Sequence, residues 1–212
     1  MTTKTPSTLV FTILSVIVGA VIGFFGFNYL ANAWEGDGNV SSSDALAVVL
    51  AVLLGGQALM VLGLSFARRS LGAVVNGEEN RSATPAQIAR ARLQGAVLLL
   101  AALLLFIPVD ATLIGLVPAL PGETVFAAVA VLLLIQSLLN LRLWLTSDEF
   151  DRRLIANTSA VSFWATQLPL FLWGAGERLG VFPALTTWDV AVLIMVIYLM
   201  ASSTITMRHG AG

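Results

Sequence analysis

The chain contains no cysteine and a single histidine, His209, and these scarcities exclude several kinds of site. Without cysteine there can be no disulfide, no thiolate nucleophile, no cysteine-ligated zinc and no iron–sulfur cluster. One histidine cannot form a histidine-rich metal site. We therefore expect neither a metal nor a cofactor.

Charged residues are scarce as well. They make up 11% of the 212 residues, whereas hydrophobic residues make up 58%. Average soluble domains are about 25% charged. The formal net charge is −1, and no basic stripe with interleaved aromatic residues is present, so nucleic acid is not expected as a partner. This composition is typical of a protein that crosses a membrane several times.

Long apolar stretches predict an all-α fold, a single bundle of six transmembrane helices that forms one domain over residues 1–212. Each stretch approaches or exceeds the roughly 20 residues that a helix needs to cross a bilayer. Pro108 is expected to kink or end the third helix, and Thr84-Pro85 to start the helix that leads into it. The predicted spans are residues 9–33, 45–66, 93–116, 124–145, 154–173 and 188–207.

The distribution of lysine and arginine predicts the orientation. With the N-terminus in the cytoplasm, every lysine and arginine except Arg178 falls on the cytoplasmic side. Cytoplasmic loops carry such an excess of positive residues. The bias also requires an even number of spans, so we expect both termini in the cytoplasm.

The stretch TSDEFDRR, which precedes the fifth span, reads as a capped helix start. Thr146 and Glu149 match a capping box, while Asp148 with Arg152 and Glu149 with Arg153 are i,i+4 ion pairs. One interpretation is a helix start whose charges pair with one another. The other is a cytoplasmic docking patch for a soluble partner or an anionic lipid headgroup. We favour the first, because the charges already have partners within the helix.

Small and amide-bearing residues within the spans are candidates for helix packing. They can hydrogen-bond or approach closely across helices, or they can line a polar pathway, and we favour packing. Thr158 lies four positions before Ser162, which in turn lies four positions before Thr166, so hydroxyl residues recur at every fourth position of the fifth span. The set is Gly19, Gly23, Gly56 with Gln57 beside it, Gln136, Asn140, Ser162 and Thr166.

Asp110 is the one ionisable group near the interior of a span. It could bind a cation or relay a proton beside the helix-breaking Pro108, as in transporters with broken helices. It could instead lie at the outer interface and cap the segment after the kink. We favour the interface, since Pro108 lies about 24 Å beyond Leu93 along the helix. No nucleophile and base, carboxylate pair or phosphate loop is present, so we do not expect an enzyme.

The segment DEFDRRLIANTSAVSFWATQLPLFLWG resembles a group of small bacterial membrane proteins to which no activity has been assigned. In this group a cytoplasmic start with the pattern of Asp148, Glu149, Arg152 and Arg153 opens the third of four helices. The resemblance covers residues 93–208 and leaves the first two spans outside. It implies a bacterial origin and a location in the plasma (inner) membrane.

These observations predict a non-enzymatic integral membrane protein, an accessory, regulatory or self-associating subunit that acts through helix packing. Its expected partners are the lipid bilayer and either another protein or a second copy. The alternative is a small transporter or channel that uses Asp110 and the polar faces of the fourth and fifth spans.

Overall fold

The computed structural model describes residues 41–76, 81–111 and 120–210. This part of the chain contains six helices and no strand, which confirms the all-α prediction. The first predicted span, with Gly19 and Gly23, lies outside it. The helices are α1 (Ser42–Phe66), α2 (Arg68–Asn76), α3 (Pro85–Val109), α4 (Gly122–Thr146), α5 (Glu149–Arg178) and α6 (Thr187–Gly210).

Four of these helices have the length and apolar composition needed to cross a membrane, namely α1, α3, α4 and residues 187–205 of α6. They correspond to the second, third, fourth and sixth predicted spans. The fifth predicted span lies within α5, which is 30 residues long. It is not among the four, because Asn157, Gln167 and the hydroxyl residues between them lower its hydropathy. The chain therefore has the helices of a membrane protein.

Capping boxes fix the first residues of α1 and α3. The Ser41 hydroxyl accepts from the Asp44 N–H at 3.1 Å, and the Asp44 carboxylate accepts in return from the Ser41 N–H at 3.3 Å. Thr84 and Gln87 form the same reciprocal pair at the start of α3. Pro85 is the first residue of α3, as predicted, since proline lacks the N–H that would be unpaired there.

Helices α1 and α3 pack against each other in antiparallel directions. The residue numbers of the facing pairs have a constant sum, which defines one register along the whole contact. Among the buried residues of α1, four follow alternating steps of four and three, namely Ala47, Ala51, Leu54 and Ala58. The facing pairs are Ser65 with Arg92, Leu62 with Gly95 and Gly55 with Ala102.

Helix α2 was not predicted. It lies between the two long helices in sequence, and its Leu71 joins Ala83, Ile88 and Ala91 in a small buried cluster. The Arg68 carbonyl accepts from the Ala83 N–H at 2.9 Å, which ties the loop before α3 to the first turn of α2. This cluster closes the end of the α1–α3 pair.

Contacts within the chain form two compact units that divide between Leu143 and Trp144. In the second unit, α5 and α6 pack together as a helical hairpin. The Val181 N–H bonds to the Gly176 carbonyl at 2.8 Å, and Gly180 adopts a φ of 73°, which glycine accepts without strain. The Trp173 indole donates to the Pro183 carbonyl at 3.0 Å and holds the turn against α5.

Candidate functional site

Asp110 lies directly after α3 and is completely buried, with an exposed fraction of 0%. The α-helical part of α3 ends at Val109, one residue after Pro108, and residues 110 and 111 continue as π-helix. Asp110 is the C-cap, and its backbone N–H bonds to the carbonyls of Phe106 and Ile107. The carboxyl group is therefore covered by protein at the point where the α-helix changes to π-helical backbone.

The α1–α3 register, continued beyond the pair of Gly55 and Ala102, relates Asp110 to a position on α1. It places Asp110 level with Ala47, which is itself fully buried and lies close to the polar start of α1. Asp110 is about 27 Å along the helix from Arg92, close to the roughly 30 Å of a bilayer core. The interfacial depth of Asp110 stays a prediction, and within the chain its side chain is buried. The segment that Asp110 was expected to cap lies in residues 112–119, which are outside the described residues.

No cluster in the described ranges is suited to hold a metal ion, since no group of three or more His, Asp or Glu side chains comes together there. Within the described residues Asp110 belongs to no such group, and it does have a polar or electrostatic partner. Its available chemistry is proton uptake or a one-carboxylate contact with a cation.

Helix α4 contains no buried residue along its 25 positions. Its least exposed residues form one narrow stripe in which steps of four and three alternate, the spacing of a helix–helix seam. All other positions of the helix are exposed. The stripe consists of Val125, Val129, Leu132, Gln136, Leu139 and Leu143.

Gln136 and Asn140 lie one turn apart on α4. Gln136 is half-buried on the stripe, whereas Asn140 is exposed beside it. Neither carboxamide makes a hydrogen bond in the described part of the chain, although the nearby Ser137 hydroxyl donates to the Leu133 carbonyl at 2.8 Å. An amide without a partner in an apolar medium costs several kcal/mol, on the order of 2–7. We call Leu133, Gln136, Ser137 and Asn140 the amide face of α4.

The hydroxyl stripe of α5 is buried, with exposed fractions of 4%, 7% and 8% for Thr158, Ser162 and Thr166. Each hydroxyl donates to the carbonyl four residues earlier, at 2.7–2.9 Å. We expected hydrogen bonds across helices from this stripe, but its donors are used within α5. The stripe is thus a smooth surface of small side chains, and its hydroxyl protons do not point into an open polar pathway.

The predicted capping box at the start of α5 is wrong. Thr146 is the last residue of α4, and the N-cap of α5 is Asp148, whose carboxylate accepts from the Asp151 N–H at 2.8 Å. Both residues have good capping side chains, but the helical backbone of α4 continues through Thr146. Glu149 is consequently the first residue of α5.

Arg152 caps the end of α4. Its guanidinium donates to the carbonyls of Trp144 at 3.1 Å and Leu145 at 2.8 Å, where the last turn of a helix leaves acceptors unpaired. Arg153 pairs with Glu149 at 2.6 Å, as predicted, and both side chains are exposed by 75% or more. The proposed docking patch is thus largely engaged within the chain itself.

Gly56 is buried in α1, but Gln57 is exposed on the surface of the single chain. Both were candidates for helix packing, and only Gly56 is buried within the chain. The buried stripe of α1 passes through Leu54 and Ala58, and Gln57 lies about 100° around the helix from Ala58.

No family model, no curated protein and no solved structure matches the chain.

In helices α2 and α3, two glycines that the sequence did not single out lie at very close approaches in the structure. A Cβ added to Gly72 would overlap the Arg81 carbonyl oxygen, and one added to Gly95 would lie 2.7 Å from Cγ of Leu62. The sequence did contain a signal for the burial of Gly95, because Ile88, Gly95 and other buried residues of α3 are spaced alternately by three and four residues, as on α1. For Gly72 none was available, since its neighbours come from a separate loop.

Proposed function

We propose that the protein is a non-enzymatic integral membrane protein that acts by helix association, and that α4 is the associating helix. The observation that carries this proposal is the pair of carboxamides on an apolar helix with no buried residue. In lipid no hydrophobic force drives helices together, so packing and interhelical hydrogen bonds have to supply the attraction. Gln136 and Asn140 are placed to do so.

The proposed partner of α4 is a second copy of the same helix. A carboxamide both donates and accepts, so two copies of one amide can pair with each other across a two-fold axis. Each hydrogen bond of this kind contributes about 0.6 kcal/mol on average, and up to about 1.7 kcal/mol. The amide face also contains Leu133, which is 52% exposed and can pack against the partner helix.

Cysteine cross-linking in native membranes tests this proposal, because the chain has no cysteine that would give a background. Leu133→Cys lies on the amide face, while Val131→Cys and Leu138→Cys lie on the opposite side. The three positions are matched in exposure at 52%, 56% and 57%. We expect a dimer-sized product from Leu133→Cys alone.

Equal cross-linking at all three positions would contradict an α4 interface, and so would cross-linking at none. A product of Leu133→Cys that contains a different protein would instead identify an accessory or regulatory subunit. The double variant Gln136→Leu with Asn140→Leu should remove the Leu133→Cys product without unfolding the chain, since both substitutions suit an apolar helix.

A second candidate function is transport of a proton or a cation, which the complete burial of Asp110 favours. The hydroxyl protons of α5 that would line a polar pathway are bonded within their own helix, which favours association over transport. Flux in vesicles separates the two. Asp110→Asn abolishes a coupled flux if the protein is a transporter, and leaves the Leu133→Cys cross-link unchanged if association is its role.

The proposal includes six spans with both termini in the cytoplasm and a location in a bacterial plasma membrane. The lysine and arginine distribution supports the orientation. The location follows from the resemblance of the Asp148–Gly174 segment to small bacterial membrane proteins.

A further inference from the structure

An open cleft of about 280 Å³ lies between the end of α1 and the start of α3. Its walls come from two stretches of the chain that the α1–α3 register brings side by side. The cleft is lined by Ser65, Phe66 and Arg68 on one side and by Pro85, Ile88 and Arg92 on the other.

The charge in the cleft is positive. Arg68 and Arg92 both line it and are exposed, and no acidic residue lines it. Within the ranges that the structure describes, neither arginine forms an ion pair. Two guanidinium groups without a carboxylate neighbour are the usual means by which proteins hold a phosphate.

Arg92 is held in position by two contacts. Its Nε donates to the Ser65 hydroxyl at 3.4 Å, and its guanidinium carbon lies 5.2 Å from the centre of the Phe66 ring. The Ser65 hydroxyl in turn donates to the Leu62 carbonyl at 2.6 Å, so that it is free to accept from Arg92. The terminal N–H groups of Arg92 remain available to an anion.

Two helix N-termini add to the positive potential, since α2 begins at Arg68 and α3 at Pro85. The N-terminal end of a helix carries a partial positive charge and favours anions. The end of α1 also borders the cleft and has the opposite polarity, but one of its last carbonyls, that of Leu64, already accepts from the Ala67 N–H at 3.0 Å.

The depth of the cleft points to a lipid. Ser65 and Phe66 end an apolar span, and Arg92 is the last charged residue before the apolar part of α3. In a bilayer that α1 and α3 span, the cleft would lie at the level of the headgroup phosphates. Above it, the exposed face of α1 carries Leu59 and Phe66, with Gly63 between them and open space around that glycine, which leaves a shallow groove for an acyl chain.

We propose that this cleft binds the phosphate group of an anionic phospholipid. Arg92 and Arg68 hold the phosphate, and the groove along Gly63 receives an acyl chain. The proposal requires that α1 and α3 span a bilayer, but it does not depend on association through α4.

Native mass spectrometry of the purified full-length protein tests the proposal, with phosphatidylglycerol and phosphatidylcholine of identical acyl chains as probes. We expect the protein to prefer phosphatidylglycerol. Arg68→Gln and Arg92→Gln should each reduce this preference about fivefold, which corresponds to about 1 kcal/mol per arginine at a membrane surface. Arg153→Gln is the matched control, because it removes an exposed arginine from α5, far along the chain, and should change nothing.

An undiminished preference in Arg68→Gln and Arg92→Gln would overturn the proposal, and so would an equal loss in all three variants. Release of the lipid by millimolar inorganic phosphate would also overturn it, since the ligand would then be a free phosphate. If Arg92→Gln does not fold, Arg68→Gln carries the test, because the Arg68 side chain makes no hydrogen bond within the described residues. The Gln136→Leu, Asn140→Leu variant should retain lipid binding, so that failure of lipid binding and failure of association are distinguishable.

Discussion

Replacement of Gly72 by alanine should destabilise the protein more than the same replacement at the other glycines of the α1–α3 pair. The new Cβ would overlap the Arg81 carbonyl oxygen and would lie 2.5 Å from the Ala83 nitrogen. Both are backbone atoms, so no side chain can rotate away to relieve the clash. The loop would have to move by about 1 Å or more to reach ordinary van der Waals distances of about 3.5 Å.

This movement has two further costs. It breaks the bond from the Ala83 N–H to the Arg68 carbonyl, worth about 1 kcal/mol, and it opens the buried cluster around Leu71. Overpacking itself costs about 1–3 kcal/mol, while the change from glycine to alanine in a helix returns up to about 1 kcal/mol. We therefore expect Gly72→Ala to lower the free energy of unfolding by about 1–3 kcal/mol.

Thermal unfolding of the full-length protein in lipid nanodiscs measures this effect. A loss of about 1–3 kcal/mol lowers Tm by roughly 2–12 °C for a chain of this size. Gly63→Ala is the control, because nothing lies within 4 Å of its Cβ, and it should be neutral or slightly stabilising. Gly95→Ala should fall between the two, since it meets the side chain of Leu62. If Gly72→Ala and Gly63→Ala have the same Tm, the close packing of the loop on α2 is refuted.

Three further predictions concern α5 and the topology. Ser162→Leu should cost about 1–3 kcal/mol in thermal stability because it overfills the buried stripe, whereas Ser162→Ala should cost less than about 1 kcal/mol; equal effects would mean that the stripe is not packed. Arg152→Ala should cost about 1 kcal/mol through loss of the α4 cap, and Arg153→Ala less than about 0.5 kcal/mol because its ion pair is exposed; the reverse order in a thermal melt would contradict the assignment. A reporter active only in the periplasm should be silent when fused after Arg81 and active when inserted near Asp37, and the opposite pattern would reverse the proposed orientation.

The long helices could be predicted from the sequence because hydropathy and capping act locally. The predicted second span, residues 45–66, and the fourth, 124–145, lie within three residues of α1 and α4 at each end. Thr84 and Pro85 mark the start of α3 through side chains that act within one turn. Pro108 likewise marks its end, since a proline removes a hydrogen bond from its own helix.

Features that depend on distant parts of the chain could not be predicted. Helix α2 is only nine residues long and has no capping signal, and its Gly72 is required only because residues 81–83 fold back onto it. The burial of Asp110 depends on other parts of the chain that the local sequence does not specify. The start of α5 was misplaced because Thr146 and Asp148 are both good caps, and only the continuation of α4 decides between them.

In the candidate site, the amide residues of α4 could be identified from the sequence. Their exposure and their hydrogen bonding could not. Gln136 and Asn140 stand one turn apart in an apolar stretch, which is visible in the sequence. The packing of the other helices decides whether these amides find hydrogen-bond partners within the described residues. It also decides how much of α4 is exposed. The cleft between Arg68 and Arg92 could not be predicted from the sequence either, because it forms only through the antiparallel register of α1 and α3.

The most direct test of association through α4 is a count of subunits in lipid vesicles by single-molecule photobleaching of the labelled full-length protein, at lipid dilutions that suppress chance encounters. The account predicts two bleaching steps for the natural sequence and one step for the Gln136→Leu, Asn140→Leu variant. Single steps for both would show that the chain does not self-associate. Two steps for both would show that it associates through a surface other than the amide face, and would contradict the role assigned to α4.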